Sequence, residues 1–260
     1  MIISYEGTRY LGWQKQAGQC SDRTIQGKLE NVLSKLTGQE VQVIGSGRTD
    51  AGVHALAQTV NVHLDIQMTS EQLKDYLNQY LPEDIGVSSV KIASDRFHSR
   101  LNALEKIYCY RIYLGEGKPV FLRKYVWELA QIKKSLGLGE RALPAHDYPL
   151  DLSAMQQAAS LMVGPHDFAA FCANRRMKKS TVRSVSEITF NRIGLEELHI
   201  LFTGNGFLHH MVRIMTGTLL EVGLGIREAD SINQLIQSKK RELAGTTAAA
   251  KGLTLMEVRY

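Results

Sequence analysis

Hydrophobic positions recur along this chain with two different periods. Between Thr24 and Leu36, the residues Ile25, Leu29, Val32, Leu33 and Leu36 fall on one face, and Gly38 follows as a stop; the spacing predicts a helix. A second helix is expected over 70–81, with Leu73, Tyr76, Leu77 and Tyr80 on one side. Thr69 and Gln72 have capping-box spacing there, and Pro82 ends the segment. In "ALAQTVNVHL" the period falls to two, and Leu56, Gln58, Val60 and Val62 share one side of an expected strand. Shorter strand signals at 2–6, 41–45 and 87–92 complete the order β-α-β-β-α-β.

The same order can be read again further on. "EKIYCYRIYL" reads as a strand and 152–163 as a helix; 185–193 and 197–203 form an expected hairpin around Gly194. Helical signals at 208–222 and 232–238 precede a closing strand, "LTLMEVRY". The expected fold class is therefore α+β, two ferredoxin-like halves with antiparallel sheets meeting at a central cleft. The halves are drawn at 1–103, with a loop at 45–54, and at 104–260. The Gly- and Pro-rich stretch 115–150 reads as a surface loop or insertion in the second half.

A chain of 260 residues with 44% hydrophobic and 22% charged residues has the composition of a folded protein with a sizeable core. No apolar run reaches the length of a membrane span, and no signal peptide is evident at "MIISYEG". The three cysteines, Cys20, Cys109 and Cys172, are widely spaced, form no CxxC pair and read as reduced thiols of a cytoplasmic protein. A net charge of +5 is a mild excess compatible with a polyanion partner. It is concentrated in "NRRMKKSTVR", which holds Arg175, Arg176, Lys178, Lys179 and Arg183, with smaller clusters at Lys133-Lys134 and Lys239-Lys240-Arg241. Such runs are more often solvated faces than binding sites.

The densest chemistry lies in "GSGRTDAGVH", Gly45 to His54. Asp50 occupies the place of the third glycine in G-x-G-x-x-G, and no Gly-Lys-Ser/Thr follows, so nucleotide cradling is a poor reading. What remains is an inter-strand loop with Arg48 and Asp50 two residues apart. An arginine beside an aspartate favours the ionised carboxylate, which suits a nucleophile or base. An exposed structural ion pair is the commoner occurrence. His209-His210 lacks metal-site spacing on a helix, and no metal is expected. His98 sits between Arg96 and Arg100, suited to phosphate contact or to a plain surface turn. Tyr108 and Tyr110 alternate on a strand, a core pattern first and a base-stacking face second. Arg213 lies in an otherwise apolar helical turn.

Taken together, "YEGTRYLGWQKQ", "TIQGKLE", "GRTDAGVHALAQ", "FHSRLNALEKIYCYRI", "DFAAF", "HHMVRIMTGTLLEVG" and "GLTLMEVRY" resemble the bacterial tRNA pseudouridine synthase A family, in family order and over nearly the whole chain. The resemblance implies the pseudouridine synthase fold and isomerisation of uridine at nucleotides 38, 39 and 40 of the tRNA anticodon stem-loop, without cofactor or metal. It implies Asp50 as the catalytic aspartate, acting at ribose C1′, at uracil C6 or through a glycal. It implies that Arg48 assists admission of the flipped nucleotide, that Tyr108 stacks on the target base, that Arg213 pairs with the aspartate, and that Leu253 lies under the base. A homodimer with one tRNA across both subunits is implied as well. The basic loop with Arg175, Arg176, Lys178 and Lys179 becomes a candidate tRNA contact in this light. The chain departs from the family pattern at Ala57, Ile214 and Ala249, none of which removes a catalytic group. Two rivals stay open: the same chemistry on another RNA, ribosomal or at other tRNA positions, and a non-catalytic RNA-binding module.

Overall fold

The structure, a computed structural model, describes residues 1–15, 21–138, 150–174 and 177–260. It divides into two compact units: Met1–Lys106 with Thr254–Tyr260, and Ile107–Leu253.

The first unit contains β1 (Ile2–Tyr5), α1 (Ile25–Thr37), β2 (Ile44–Gly45), β3 (His54–Asn61), α2 (Ser70–Tyr80) and β4 (Ile85–Ser89). Both helices form where the periodicity places them, and their ends have chemical causes. Thr24 accepts from the Gly27 amide at the start of α1, and Gly38, at φ 69°, closes it in the left-handed region that glycine adopts without strain. Thr69 and Gln72 form a reciprocal capping box on α2. Strand order is β4-β1-β3, with β2 on the outer edge of β3, the ferredoxin-like arrangement. Strand β2 is shorter than the expected 41–45. The Val41 amide donates to Ser34 Oγ and the Val43 amide to Glu30 Oε1, so helix side chains take the bonds that a neighbouring strand would have taken. Alternation in β3 is partial: Gln58 and Val60 are fully buried, while Leu56 is exposed.

The C-terminal strand β10 (Leu253–Arg259) corrects the expected boundary. Its residues from Thr254 onward belong to the first unit, not to the second half: Thr254 and Leu255 pair with His54 and Ala55 of β3. The pairing is parallel, whereas β1, β2, β3 and β4 of that unit pair antiparallel. Period-two alternation shows that a strand exists but carries no information on its partner.

The second unit contains β5 (Glu105–Tyr113, counted here from Ile107), β6 (Trp127–Glu128), α3 (Leu129–Ser135), α4 (Leu152–Ser160), β7 (Gly164–Asp167), β8 (Val182–Ile193), β9 (Glu197–Gly204), α5 (Met211–Gly223) and α6 (Ser231–Ser238). Strand order is β5-β9-β8-β7, with the β8–β9 hairpin turning at Gly194 as expected. Ile112, Ile200, Phe202, Leu219 and Leu220 are fully buried in its core. The stretch 115–150 is more than a surface loop. It carries β6, which pairs in parallel with Ile112–Tyr113 of β5, and the short α3, whose Leu129 and Ile132 are buried. A helix of 7 residues is too short to show a sustained period.

Candidate active site

The loop 45–54 lies in the first unit and is clamped at almost every residue. A Cβ on Gly45 would stand 2.6 Å from the Trp13 indole, so only glycine fits there. Ser46 Oγ donates to Gln58 Oε1, and Gln58 Nε2 donates to the Gly47 carbonyl at 2.8 Å. Lys106 Nζ donates to the Ser46 carbonyl at 2.7 Å. The Thr49 hydroxyl and Tyr5 hydroxyl lie 2.8 Å apart, and the Thr49 carbonyl accepts from the Trp13 amide at 3.0 Å. Asp50 opens a tight turn: its carbonyl accepts from the Val53 amide at 3.1 Å, and Gly52 at φ 79° takes the position that requires the left-handed region.

Two glycines from the N-terminal segment press on this loop from outside. A Cβ on Gly12 would meet the Thr49 carbonyl oxygen at 2.6 Å, and one on Gly7 would meet the Val53 carbonyl oxygen at 2.0 Å. The Gly7 amide also donates to His54 Nδ1 at 3.0 Å. The Glu6 carboxylate lies 3.8 Å from the same nitrogen. With its backbone held from both sides, the loop presents a half-buried Asp50 and an exposed Arg48. Arg48 Nε donates to Gln14 Oε1 at 3.0 Å.

His98 also belongs to the first unit. Its Nδ1 accepts from the Arg100 and Leu101 amides, at 3.1 and 3.3 Å, closing a turn. The ring proton then resides on Nε2, which leaves a donor of the kind that suits a phosphate oxygen.

In the second unit, Tyr108 and Tyr110 stand on the same side of β5. Tyr110 is a core residue, wholly buried, with its hydroxyl donating to the Ala249 carbonyl at 2.8 Å. Tyr108 is 7% exposed and meets the Phe207 ring edge to face at 5.3 Å, a contact that fixes its plane. Arg213 is half-buried in the first turn of α5; its Nε donates to the Ala248 carbonyl at 2.7 Å, and its own carbonyl accepts from the Ala248 amide at 3.1 Å.

Those bonds belong to a longer strap, residues 244–252, that lies along α5 and leads into Leu253. Gly217 allows it to approach: a Cβ there would stand 1.8 Å from the Thr246 carbonyl oxygen. Thr218 Oγ1 accepts from the Gly245 amide and Glu221 Oε1 from the Thr246 amide. Gly252 packs on the Tyr110 ring, and Leu253 beside it is buried. Tyr110, Arg213 and α5 thus fix the path by which Leu253 is delivered.

Lys178 and Lys179 are exposed on the connection before β8; Arg175 and Arg176 lie outside the described residues. His209 and His210 have ring centroids 3.9 Å apart, and His210 takes a left-handed φ of 60° just before α5. Cys109 and Cys172 are buried free thiols, and burial pushes the Cys109 thiol up to about 11; Cys20 lies outside the described residues. Among the described residues, no helix is long and apolar enough to cross a membrane.

Residue chemistry alone gave no role to Gly7, Gly12, Gln14, Gln58, Lys106 or Phe207. All but Phe207 sit in stretches that carry the family resemblance, which was the only signal for them.

A family model described as tRNA pseudouridine synthase matches residues 1–101 and 158–260. A tRNA pseudouridine synthase A of Bacillus sp. (strain KSM-64) is 42% identical over 261 residues, covering 100% of this chain and 98% of that protein. A tRNA pseudouridine synthase A 2 of Bacillus cereus (strain ZK / E33L) is 40% identical with the same coverage. A tRNA pseudouridine synthase A of Thermoanaerobacter sp. (strain X514) is 38% identical over 260 residues, again covering 100% of this chain and 98% of that protein.

Proposed function

This chain belongs to the tRNA pseudouridine synthase family, and from that premise we propose that it converts uridine to pseudouridine in the tRNA anticodon stem-loop, at nucleotides 38, 39 and 40, with Asp50 as the essential carboxylate. In this reaction the N1–C1′ bond breaks, the uracil turns, a C5–C1′ bond forms, and the C5 proton is lost while N1 gains one. The isomerisation is redox-neutral and its atoms balance without a co-reactant.

The observation that carries the assignment of Asp50 is the backbone clamp on its loop. A carboxylate that must meet a reacting carbon gains from being held in place before the substrate arrives. Gly12 against Thr49, the turn closed by Val53, and the Ser46–Gln58–Gly47 bonds supply that hold. Whether the carboxylate adds to C1′, adds to C6 or promotes a glycal, it acts from this position. Arg48, exposed beside it, assists the extrusion of the target nucleotide, which must leave the stack to be reached. Tyr108 stacks on the base, Leu253 supports it, and Arg213 supplies the positive charge that balances the aspartate. His98 Nε2 and the exposed Lys178 and Lys179 contact phosphates, with Arg175 and Arg176 extending the same basic run. The resemblance supports a cytoplasmic homodimer in which one tRNA touches both subunits.

The test is Asp50→Asn on a C5-tritiated, unmodified tRNA transcript. Tritium release should fall to background while tRNA binding persists. Release at the wild-type rate would sink the assignment. Transcripts with a single uridine at nucleotide 38, 39 or 40 test the position.

A further inference from the structure

We infer that Gln14, Gln26 and Glu30 form a hydrogen-bond relay that holds Arg48 in place, and that the buried Glu30 carboxylate sets its direction. The inference rests on the role proposed above for Arg48, and it makes Gln14, Gln26 and Glu30 positioning residues.

Gln26 and Glu30 are one turn apart on α1 and are 6% and 5% exposed, among the apolar positions Ile25, Leu29 and Leu33. Polar groups so deeply placed need partners. Glu30 Oε1 accepts from Gln26 Nε2 at 2.8 Å and from the Val43 amide at 3.0 Å, and Oε2 lies 3.4 Å from Lys15 Nζ. A carboxylate can only accept, so Gln26 must turn its NH2 toward it. The same NH2 donates to the Val43 carbonyl at 3.1 Å. The Gln26 oxygen then faces the other way and accepts from the Lys15 amide at 2.9 Å and from Gln14 Nε2 at 2.8 Å.

The amide of Gln26 has its two donors and two lone pairs all engaged. Reversing it would set oxygen against the Glu30 carboxylate and the Val43 carbonyl, and NH2 against the Lys15 N–H. Its orientation is therefore dictated by charge. Gln14 must in turn donate inward, which leaves Gln14 Oε1 as the atom presented to Arg48 Nε, at 3.0 Å. The opposite orientation of Gln14 would put an NH2 against a guanidinium. A negative charge buried in α1 thus guarantees, through two amides, that the loop arginine meets an acceptor.

Two readouts on the full chain test this. The first is the Nε–Hε correlation of Arg48 in nitrogen-15 NMR of the RNA-free protein. It should shift and exchange faster in Gln14→Leu and in Glu30→Gln; an unchanged signal in Gln14→Leu, whose site is only half-buried, overturns the relay. The second is kcat/KM on an unmodified tRNA transcript. Gln14→Leu should lose on the order of ten-fold, the size of one hydrogen bond to a charged group, and the double variant with Arg48→Ala should be no worse than Arg48→Ala alone. An impaired Arg48→Ala with an additive double variant overturns the inference alone. Arg48→Ala turning over at the wild-type rate overturns the role of Arg48 and the inference together.

Discussion

Gly12 and Thr49 are packed backbone to backbone: a Cβ on Gly12 would stand 2.6 Å from the Thr49 carbonyl oxygen. Gly12 also has a φ of 93°, which L side chains rarely adopt. Gly12→Ala therefore meets both strain and overlap, and the segment it pushes ends at Asp50. We expect a loss of about 1–3 kcal/mol in urea unfolding, with a larger proportional loss of turnover. Turnover that falls no further than the folded fraction would show that the contact serves stability alone.

Gly217 is the corresponding contact in the second unit, and a tighter one. A Cβ there would lie 1.8 Å from the Thr246 carbonyl oxygen, inside a buried stretch of α5. Alanine is the better helix former, so propensity predicts stabilisation and packing predicts the reverse. Packing should win, with Gly217→Ala losing about 3 kcal/mol in thermal or urea unfolding. An equal or raised melting temperature would mean that the strap can move away from α5 without cost.

Lys239 beside Asp167 holds that carboxyl below its ordinary range, helped by the Thr181 hydroxyl and the Ala169 amide and opposed by partial burial. A carboxyl lowered on folding adds stability that is present above its unfolded value, near 3.9, and is lost as the pH falls through its lower folded value. Lys239→Ala removes the largest cause, so the acid-unfolding midpoint followed by circular dichroism should move to higher pH. Lys239 is largely exposed, so the shift should be small and should shrink in high salt. An identical midpoint for both proteins at low salt would show that the pair contributes nothing.

Lys178 and Lys179, if they contact phosphates, should act on affinity without reading sequence. The double alanine variant should weaken binding of all substrate tRNAs alike and lower the log–log salt slope by about 1–2. Filter binding across a salt series measures this. A slope equal to that of the wild type would place both side chains away from the RNA.

Much of this was legible in the sequence, for reasons that differ by residue. Helix α1 announced itself because Ile25, Leu29 and Leu33 repeat on one face and Thr24 and Gly38 supply both ends. The 45–54 loop stood out because so many special residues fall so close together. The short length of β2 is not legible, because Val41 and Val43 look like strand residues while their amides bond to Ser34 and Glu30 side chains that no local pattern connects to them. The partner of β10 was out of reach because Thr254 meets His54 across 200 residues of chain. Gln26 and Glu30 stand outside the apolar repeat of α1, and no local pattern shows that they lie on its buried face.

The pairing of β10 with β3 has a consequence for synthesis. Thr254 and Leu255 bind His54 and Ala55, the two residues that follow the Asp50 turn. On the ribosome, most of the first unit emerges early, yet that edge of its sheet stays open until Thr254 and Leu255, 200 residues beyond His54 and Ala55, have been made. A nascent or prematurely terminated polypeptide would therefore carry the aspartate loop on an unfinished support. The footing of that loop is complete only once Thr254 and Leu255 have been made.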